Sequence, residues 1–207
     1  MIAAGPDLLI VGGLALDRLA DGSVLAGGSV LHAARAVAAS GRQVATITAA
    51  GPEPEAAAAL TELTALGPSR AARFPSSIRY AIHEARRGRR LLLEAAGGEV
   101  SISAAEVVTL DARAVLLAPI AGEVTARTVR ACSMVPVRVA ALQGWLRHLA
   151  PGEEARALPL AALGEGLSAA LGQLDALVAS VEDLAGVAPR PRAQLAALRA
   201  HLGPGPG

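Results

Sequence analysis

The feature that most constrains this chain is an alternation. Short apolar-rich segments recur along it, alternating with longer stretches of helical character. Leu8 to Val11 is a continuous apolar run closed by Gly12-Gly13, and Val44 to Ile47, Ala114 to Leu117, Pro136 to Leu142 and Leu174 to Ala179 read as further strands. A short run that is apolar on every residue reads as a strand buried on both faces, the pattern of parallel sheets. Between the runs lie Val30 to Ser40, Glu53 to Leu66, Ala104 to Leu110, Glu123 to Cys132, Leu158 to Leu171 and Arg192 to Leu202, rich in helix formers. Glu123 is expected in the first turn of its helix, where a carboxylate suits the dipole. Strand and helix in turn predict an open, mostly parallel sheet covered on both faces, a three-layer α/β/α sandwich.

Two segments break the rhythm. Leu16 to Leu25 alternates loosely around Asp21-Gly22, which predicts a hairpin. Ser77 to His83 and Arg90 to Ala96 read as two strands joined by the turn Arg86-Arg87-Gly88-Arg89. The segments at about 16–25 and 77–96 together predict a small β lid beside the sheet. A single domain is expected over 1–207, with a Pro/Gly tail at 203–207.

Composition removes several classes of function. Phe74, Tyr80 and Trp145 are the only aromatic residues, so stacking platforms for nucleic-acid bases are missing. The net charge of +1 gives no field suited to DNA or an anionic membrane. No Lys occurs, which excludes a Walker-A lysine and a Schiff base. Cys132 is the lone cysteine, and His32, His83, His148 and His201 are widely spaced, so no thiolate or histidine metal site is expected. No apolar run approaches the roughly 18 residues that span a bilayer, and no signal-peptide pattern opens the chain. A soluble cytoplasmic protein is expected. Arg86-Arg87-Gly88-Arg89-Arg90 reads as a solvated hairpin tip, since no aromatics accompany it.

Three stretches carry chemistry together. Asp7-Leu-Leu-Ile-Val-Gly-Gly-Leu-Ala-Leu-Asp17 places a carboxylate just past a strand end. Ala26-Gly-Gly-Ser-Val-Leu-His-Ala-Ala-Arg-Ala-Val-Ala-Ala-Ser-Gly41 opens a helix on two glycines. Leu174-Asp-Ala-Leu-Val-Ala-Ser-Val-Glu-Asp-Leu-Ala-Gly186 runs a strand into an acidic motif. A carboxylate beyond a strand end lies in the crevice where open α/β sheets bind ligands. It can accept hydrogen bonds from hydroxyls, and glycines at a helix start let backbone N–H groups approach a ligand oxygen. Asp17 can also be a solvated loop carboxylate, and Gly27-Gly28 a simple tight turn.

In this order and spacing the chain resembles the ribokinase-like (PfkB) carbohydrate kinases, over nearly its whole length. Gln143-Gly-Trp-Leu-Arg147 is similar to a segment in one branch of that family. The resemblance implies a ribokinase-like sandwich, ATP-dependent phosphoryl transfer to a sugar or nucleoside hydroxyl, and the cofactors ATP and Mg2+. It implies that Asp17, Gly27, Gly28 and His32 bind substrate, with His32 standing where the family usually has Asn. Ser180-Val-Glu-Asp183 stands where the family has Asn-x-x-Glu, so Ser180 and Asp183 would be associated with the nucleotide and metal. His32 can equally be a packing residue, and Asp183 an ordinary helix-start carboxylate.

The family's Gly-Ala-Gly-Asp motif, which carries the catalytic base and a phosphate-cradling helix start, has no counterpart in these 207 residues. No catalytic residue is therefore assigned. The fold is expected to be C-terminally incomplete, and the chain inactive by itself. The alternatives are a non-catalytic small-molecule-binding or interaction module derived from a sugar kinase, and an unrelated α/β domain. A homodimer through the lid, or a partner completing the sheet, is the expected assembly.

Overall fold

A computed structural model describes residues 5–85 and 88–202, apart from the side chains of 85–89. The expected turn residues Arg86 and Arg87 and the tail at 203–207 lie outside the described residues. In chain order the strands and helices are β1 (Leu8–Gly12), β2 (Ala15–Arg18), β3 (Val24–Gly27), α1 (Ser29–Ala39), β4 (Val44–Ala50), α2 (Pro54–Leu66) and β5 (Ser69–Arg73). Then come β6 (Ile78–Ala85), β7 (Gly88–Ala96), α3 (Ala104–Leu110), β8 (Ala114–Ala118), α4 (Ala126–Ala131) and β9 (Val137–Ala141). The last are β10 (Arg147–His148), β11 (Arg156–Ala157), α5 (Gly164–Leu171), β12 (Ala176–Val178) and α6 (Pro191–Leu202).

The main sheet has six strands in the order β12-β9-β8-β1-β4-β5, and every pairing in it is parallel. The apolar runs put their strands at its centre. Leu9, Ile10 and Val11 of β1 are fully buried, because β1 is covered from both sides. On one face Ile10 packs with Leu31 and Ala34 of α1 and Leu63 of α2. On the other, Leu9, Val11, Val115 and Leu117 pack with Val107 of α3, Val129 of α4 and Leu171 of α5. The parallel α/β sandwich is thus present as the apolar runs require.

The segments that break the alternation form a second sheet, in the order β3-β2-β6-β7. β2 and β3 are antiparallel, β6 and β7 are antiparallel, and β2 runs parallel to β6. This sheet meets the main body through Tyr80 and Leu93, which cluster with Ile120 at the C-terminal end of β8. A strap of chain follows β10 and closes the free edge of β7. Leu93 N–H donates to Glu153 O at 3.0 Å, and Gly152 and Ala155 N–H donate to Leu93 O and Leu91 O at 2.7 Å.

Three local expectations are corrected. The edge strand β5 was not anticipated, because Ser69-Arg-Ala-Ala-Arg73 has no apolar run; an edge strand needs none, being half-exposed. The stretch 158–171 is not one helix: a 3-10 turn at Leu160–Leu163 gives way to α5 at Gly164, whose φ of +69° interrupts it. Glu123 is not in a helix turn. α4 begins only at Ala126 with no acidic residue in its first turn, and Glu123 is folded inward instead.

Candidate functional site

Just past the C-terminal end of β8, Ile120 meets the β3-β2-β6-β7 sheet through Tyr80 and Leu93. This junction depends on close backbone approach. A Cβ on Gly13 would lie 2.3 Å from Ile120 Cγ1 and 2.5 Å from Glu123 Oε1. Gly28 precedes α1 in the left-handed region (φ 91°), and a Cβ there would lie 2.5 Å from Gly13 O. Both the conformation and the clearance demand glycine at position 28. The Ser29 hydroxyl, in the first turn of α1, donates to Ala118 O and ties the helix to β8.

The β2–β3 hairpin sets Asp17 opposite Leu25, and the parallel β6 sets Tyr80 beside it. Two residue pairs further along, on the same face of the ladder, Gly27 faces Ala15. The space a side chain would fill at Gly27 is bounded by polar atoms: an added Cβ would lie 2.9 Å from Asp17 Oδ2 and 3.5 Å from His32 Nε2. His32 reaches this point from the exposed side of α1. Asp17, Gly27 and His32 therefore converge on one small space, and the adjoining Gly28 packs against the backbone of 13–15. Asp17 also lines an open cleft of about 480 Å³ with Leu25, Ile82 and Glu84.

Ser180 and Asp183 are built differently. The Asp183 carboxylate accepts Ser180 N–H at 3.0 Å, and the Ser180 hydroxyl accepts Asp183 N–H at 3.1 Å. This reciprocal pair closes the turn after β12, as a capping box does. The other Asp183 oxygen accepts from Arg147 at 3.1 Å. Asp183 is buried, with a neighbour for each oxygen. The Gln143 carboxamide faces the same Arg147 guanidinium. From α6, the buried Gln194 side chain donates to Val181 O, Leu184 O and Ala188 O at 2.8–3.2 Å and holds the turn from behind.

Tyr80 pairs with Asp17 across β2 and β6. Its phenol is buried and donates to Ile120 O at 2.9 Å. Burial pushes its ionisation well above the ordinary value; the nearby charges of Glu123 and Asp17 push the same way, and Arg147 opposes them. Both Asp17 and Arg147 are thus within electrostatic reach of one side chain.

Tyr80 and Glu123 are the residues sequence reasoning missed. Glu123 is only 4% exposed, and its carboxylate accepts N–H groups from Ile120 at 3.0 Å and Ala121 at 2.7 Å. Burial raises its ionisation, and those N–H bonds work against that. The carboxylate thereby holds the loop onto which Tyr80 bonds. The available signal was Pro119-Ile-Ala-Gly-Glu123 directly after a strand, where a loop carboxylate can cap its own backbone. Glu53 plays a similar part at the lid's other end, accepting from Ser77 N–H at 3.0 Å and Ser77 Oγ at 2.9 Å. Among the described residues, no three His, Cys, Asp or Glu side chains are grouped to hold a metal ion.

The fold has counterparts among solved structures. A pyrophosphate-dependent kinase of the ribokinase family, solved with a pyrophosphate analog and myo-inositol, superposes with a TM-score of 0.74 at 17% identity. The match covers 94% of this chain and 69% of that one. The fold is ribokinase-like. Arabidopsis thaliana ribokinase, solved with ribose and ATP, matches with a TM-score of 0.66 at 14% identity, over 96% of this chain and 70% of its own. Ribokinase from Thermotoga maritima matches with a TM-score of 0.58 at 15% identity, over 86% and 61%. No family model and no curated protein matches the sequence. The kinship is one of three-dimensional form, and it covers nearly all of this chain but about two-thirds of the neighbours.

Proposed function

We propose that this ribokinase-like chain is a carbohydrate kinase-like protein whose cradle at Asp17, Gly27, Gly28 and His32 binds a polyhydroxylated small molecule, a sugar, nucleoside or cyclitol. The observation that carries this reading is the pair of distances at Gly27. An oxygen near that point would have a carboxylate to donate to and an imidazole nitrogen beside it. Two neighbours of the same fold were solved with myo-inositol and with ribose, which supports a small polyol as ligand.

The roles follow from the residue types. Asp17 accepts a substrate hydroxyl proton in a hydrogen bond, and His32 fixes the adjacent hydroxyl. Gly27 leaves room for the ring, and Gly28 holds the backbone turn that frames it. The β3-β2-β6-β7 sheet acts as a lid that excludes water, fixed to the body by Tyr80 and by the 150–155 strap.

The phosphoryl donor in this reading is ATP, or pyrophosphate, since neighbours of this fold hold one or an analog of the other. The donor supplies the transferable phosphoryl group. The described residues do not fit Mg2+ as a protein-ligated ion: the candidate Asp183 is engaged with Ser180 and Arg147, and no carboxylate cluster surrounds it. No step is routed through the metal. We place the protein in the cytoplasm on its lone, buried Cys132; no helix among the described residues is long and apolar enough to cross a membrane.

These 207 residues by themselves are proposed not to turn over. A sugar hydroxyl is a poor nucleophile at neutral pH, and a positioned base contributes about 10²–10⁴-fold. Neither Asp183, committed to the turn, nor Asp17, on the binding side, is placed as a base with a phosphate-binding helix start beside it. The test is coupled ADP and phosphate release by the purified chain over a sugar, nucleoside and inositol panel with each donor. Background release alone is expected; substrate-dependent turnover approaching about 1 s⁻¹, a low enzymatic value, would show that a base has gone unrecognised.

A further inference from the structure

The lid sheet is tied to the body in two unlike ways. Around Ile120 the contact is apolar and buried, through Ala15, Ile78, Tyr80 and Leu93. Along the outer edge of the lid, β7, the tie is the strap. Its feet, β10 and β11, stand on the body: Leu158 N–H donates to Leu146 O at 2.8 Å, and Arg147 reaches Asp183 at 3.1 Å. Leu146 and Leu160, at the two ends of this hairpin, are buried. Its connecting loop, 149–155, reaches out to β7.

That outer hold is made of edge bonds. Leu92 and Glu154 stand opposite each other as an antiparallel pair, with Leu93 N–H bonded to Glu153 O and Ala155 N–H to Leu91 O on either side. Arg90 takes both oxygens of Glu154 in an ion pair open to water. Little apolar surface backs these bonds. None of residues 149–157 is buried, and Leu149 is the strap residue that packs on the lid cluster. A pocket of about 170 Å³ lies between Leu91 of the lid, Ala155 of the strap, and Leu146 and Asp183 of the body. Segments with few buried apolar contacts and exposed backbone bonds open while their surroundings stay folded.

We propose that the strap is a releasable latch on the lid. With β7 bonded to 152–155, the lid is held against the body. When those bonds part, the lid swings on the passages of chain that join it to the body, at 13–14, 27–28, 74–77 and 97–98, and the space beside Gly27 opens. This last step rests on the proposed reading of that space as a ligand site. Release at the tip leaves the feet in place, so the strap meets the same edge again on closing. Gly152 is the point of weakest hold. Its N–H reaches Leu93 O at 2.7 Å from a left-handed backbone (φ 84°), and no atom lies within 4 Å of where its Cβ would stand.

Hydrogen exchange tests the latch without any ligand. The Leu93 and Ala155 amides are expected to exchange far faster than those of Leu9, Ile10 and Val11 in β1. Gly152→Ala, which clashes with nothing and acts only through its backbone, should speed them about tenfold and leave β1 unchanged. A reversible lock tests the access step. Leu92 and Glu154 are a non-hydrogen-bonded pair, with Cα atoms about 4.5 Å apart in such ladders, within the span of a disulfide. In Leu92→Cys with Glu154→Cys, ribose and myo-inositol are expected to associate at least about tenfold more slowly in the oxidised chain than in the reduced one. Leu93 and Ala155 amides as slow as those of β1 overturn the latch, because the strap then lets go only on unfolding. Equal association rates in the two forms overturn the gating. If neither form binds a polyol, the reading of the site fails, and the exchange result still decides the latch.

Discussion

Asp17 lies within β2 of the second sheet, rather than just past a strand end as expected, whereas Asp183 follows β12 of the main sheet, and their surroundings differ. Asp17 borders a gap made by Gly27, with His32 across it and an open cleft beside it. Asp183 is buried, and its oxygens are occupied by Ser180 N–H and Arg147. In the proposed reading one carboxylate borders the space beside Gly27 where a ligand would enter; the other closes a turn of the chain itself.

That contrast can be broken most sharply at Gly27. Alanine there puts a methyl 2.9 Å from Asp17 Oδ2, while the backbone remains an ordinary strand. Polyol affinity is expected to fall about 100-fold, or ~2.7 kcal/mol, with the unfolding midpoint nearly unchanged, as read by calorimetric titration beside thermal unfolding. Affinity that survives would mean the cradle is not the binding place.

Asp183→Ala should do the reverse. It strands the Arg147 guanidinium and removes the cap of the 180–183 turn, so stability should fall by about 2–3 kcal/mol in urea unfolding. Residual polyol binding by the folded fraction should be unaltered. A loss of binding at full stability would move Asp183 into the site.

The loop onto which Tyr80 bonds supplies a pH signature. Burial holds the Glu123 ionisation above its ordinary value, so the folded state binds a proton more tightly than the unfolded state. Its contribution to stability is fully present below the ordinary carboxylate range and is lost as pH rises through the raised folded value. Stability measured from pH 4.5 upward should therefore decline relative to Glu123→Gln, by at most about 1.4 kcal/mol per pH unit. Parallel pH profiles for the two proteins would mean that Glu123 is charged throughout.

The smallest effect is expected at Tyr80, where phenylalanine removes only the bond to Ile120 O. A loss of about 1 kcal/mol, with faster amide exchange in the 78–82 segment, would show that this bond helps to hold the lid against the body. Unchanged exchange would leave that task to the 150–155 strap.

Much of the architecture was legible because its cause is local. Unbroken apolar runs such as Leu8 to Val11 can be satisfied only between two covered faces, and Gly27-Gly28 before a helix marks a tight entry. The cradle was legible as a set of residues, since Asp17, Gly27, Gly28 and His32 all belong to one strand–hairpin–helix unit. What was hidden depends on distant contacts. Tyr80 bonds a carbonyl 40 residues away, and Arg147 meets Asp183 across 36, and no periodicity records either. Glu123 misled because a carboxylate before a helical stretch suits a helix start, and only the close approach of Gly13 and Ile120 shows why it turns inward. β5 escaped because an edge strand can be polar on the side that faces water.

The central claim, that the space between Asp17 and His32 is a polyol-binding cradle, is tested most directly by isothermal titration of the purified chain. Ribose, myo-inositol and a nucleoside would each be titrated into the unaltered chain and into Asp17→Asn. The account predicts saturable binding of at least one of them, weakened at least tenfold by Asp17→Asn. Absence of binding by all three, or binding indifferent to Asp17, would contradict it.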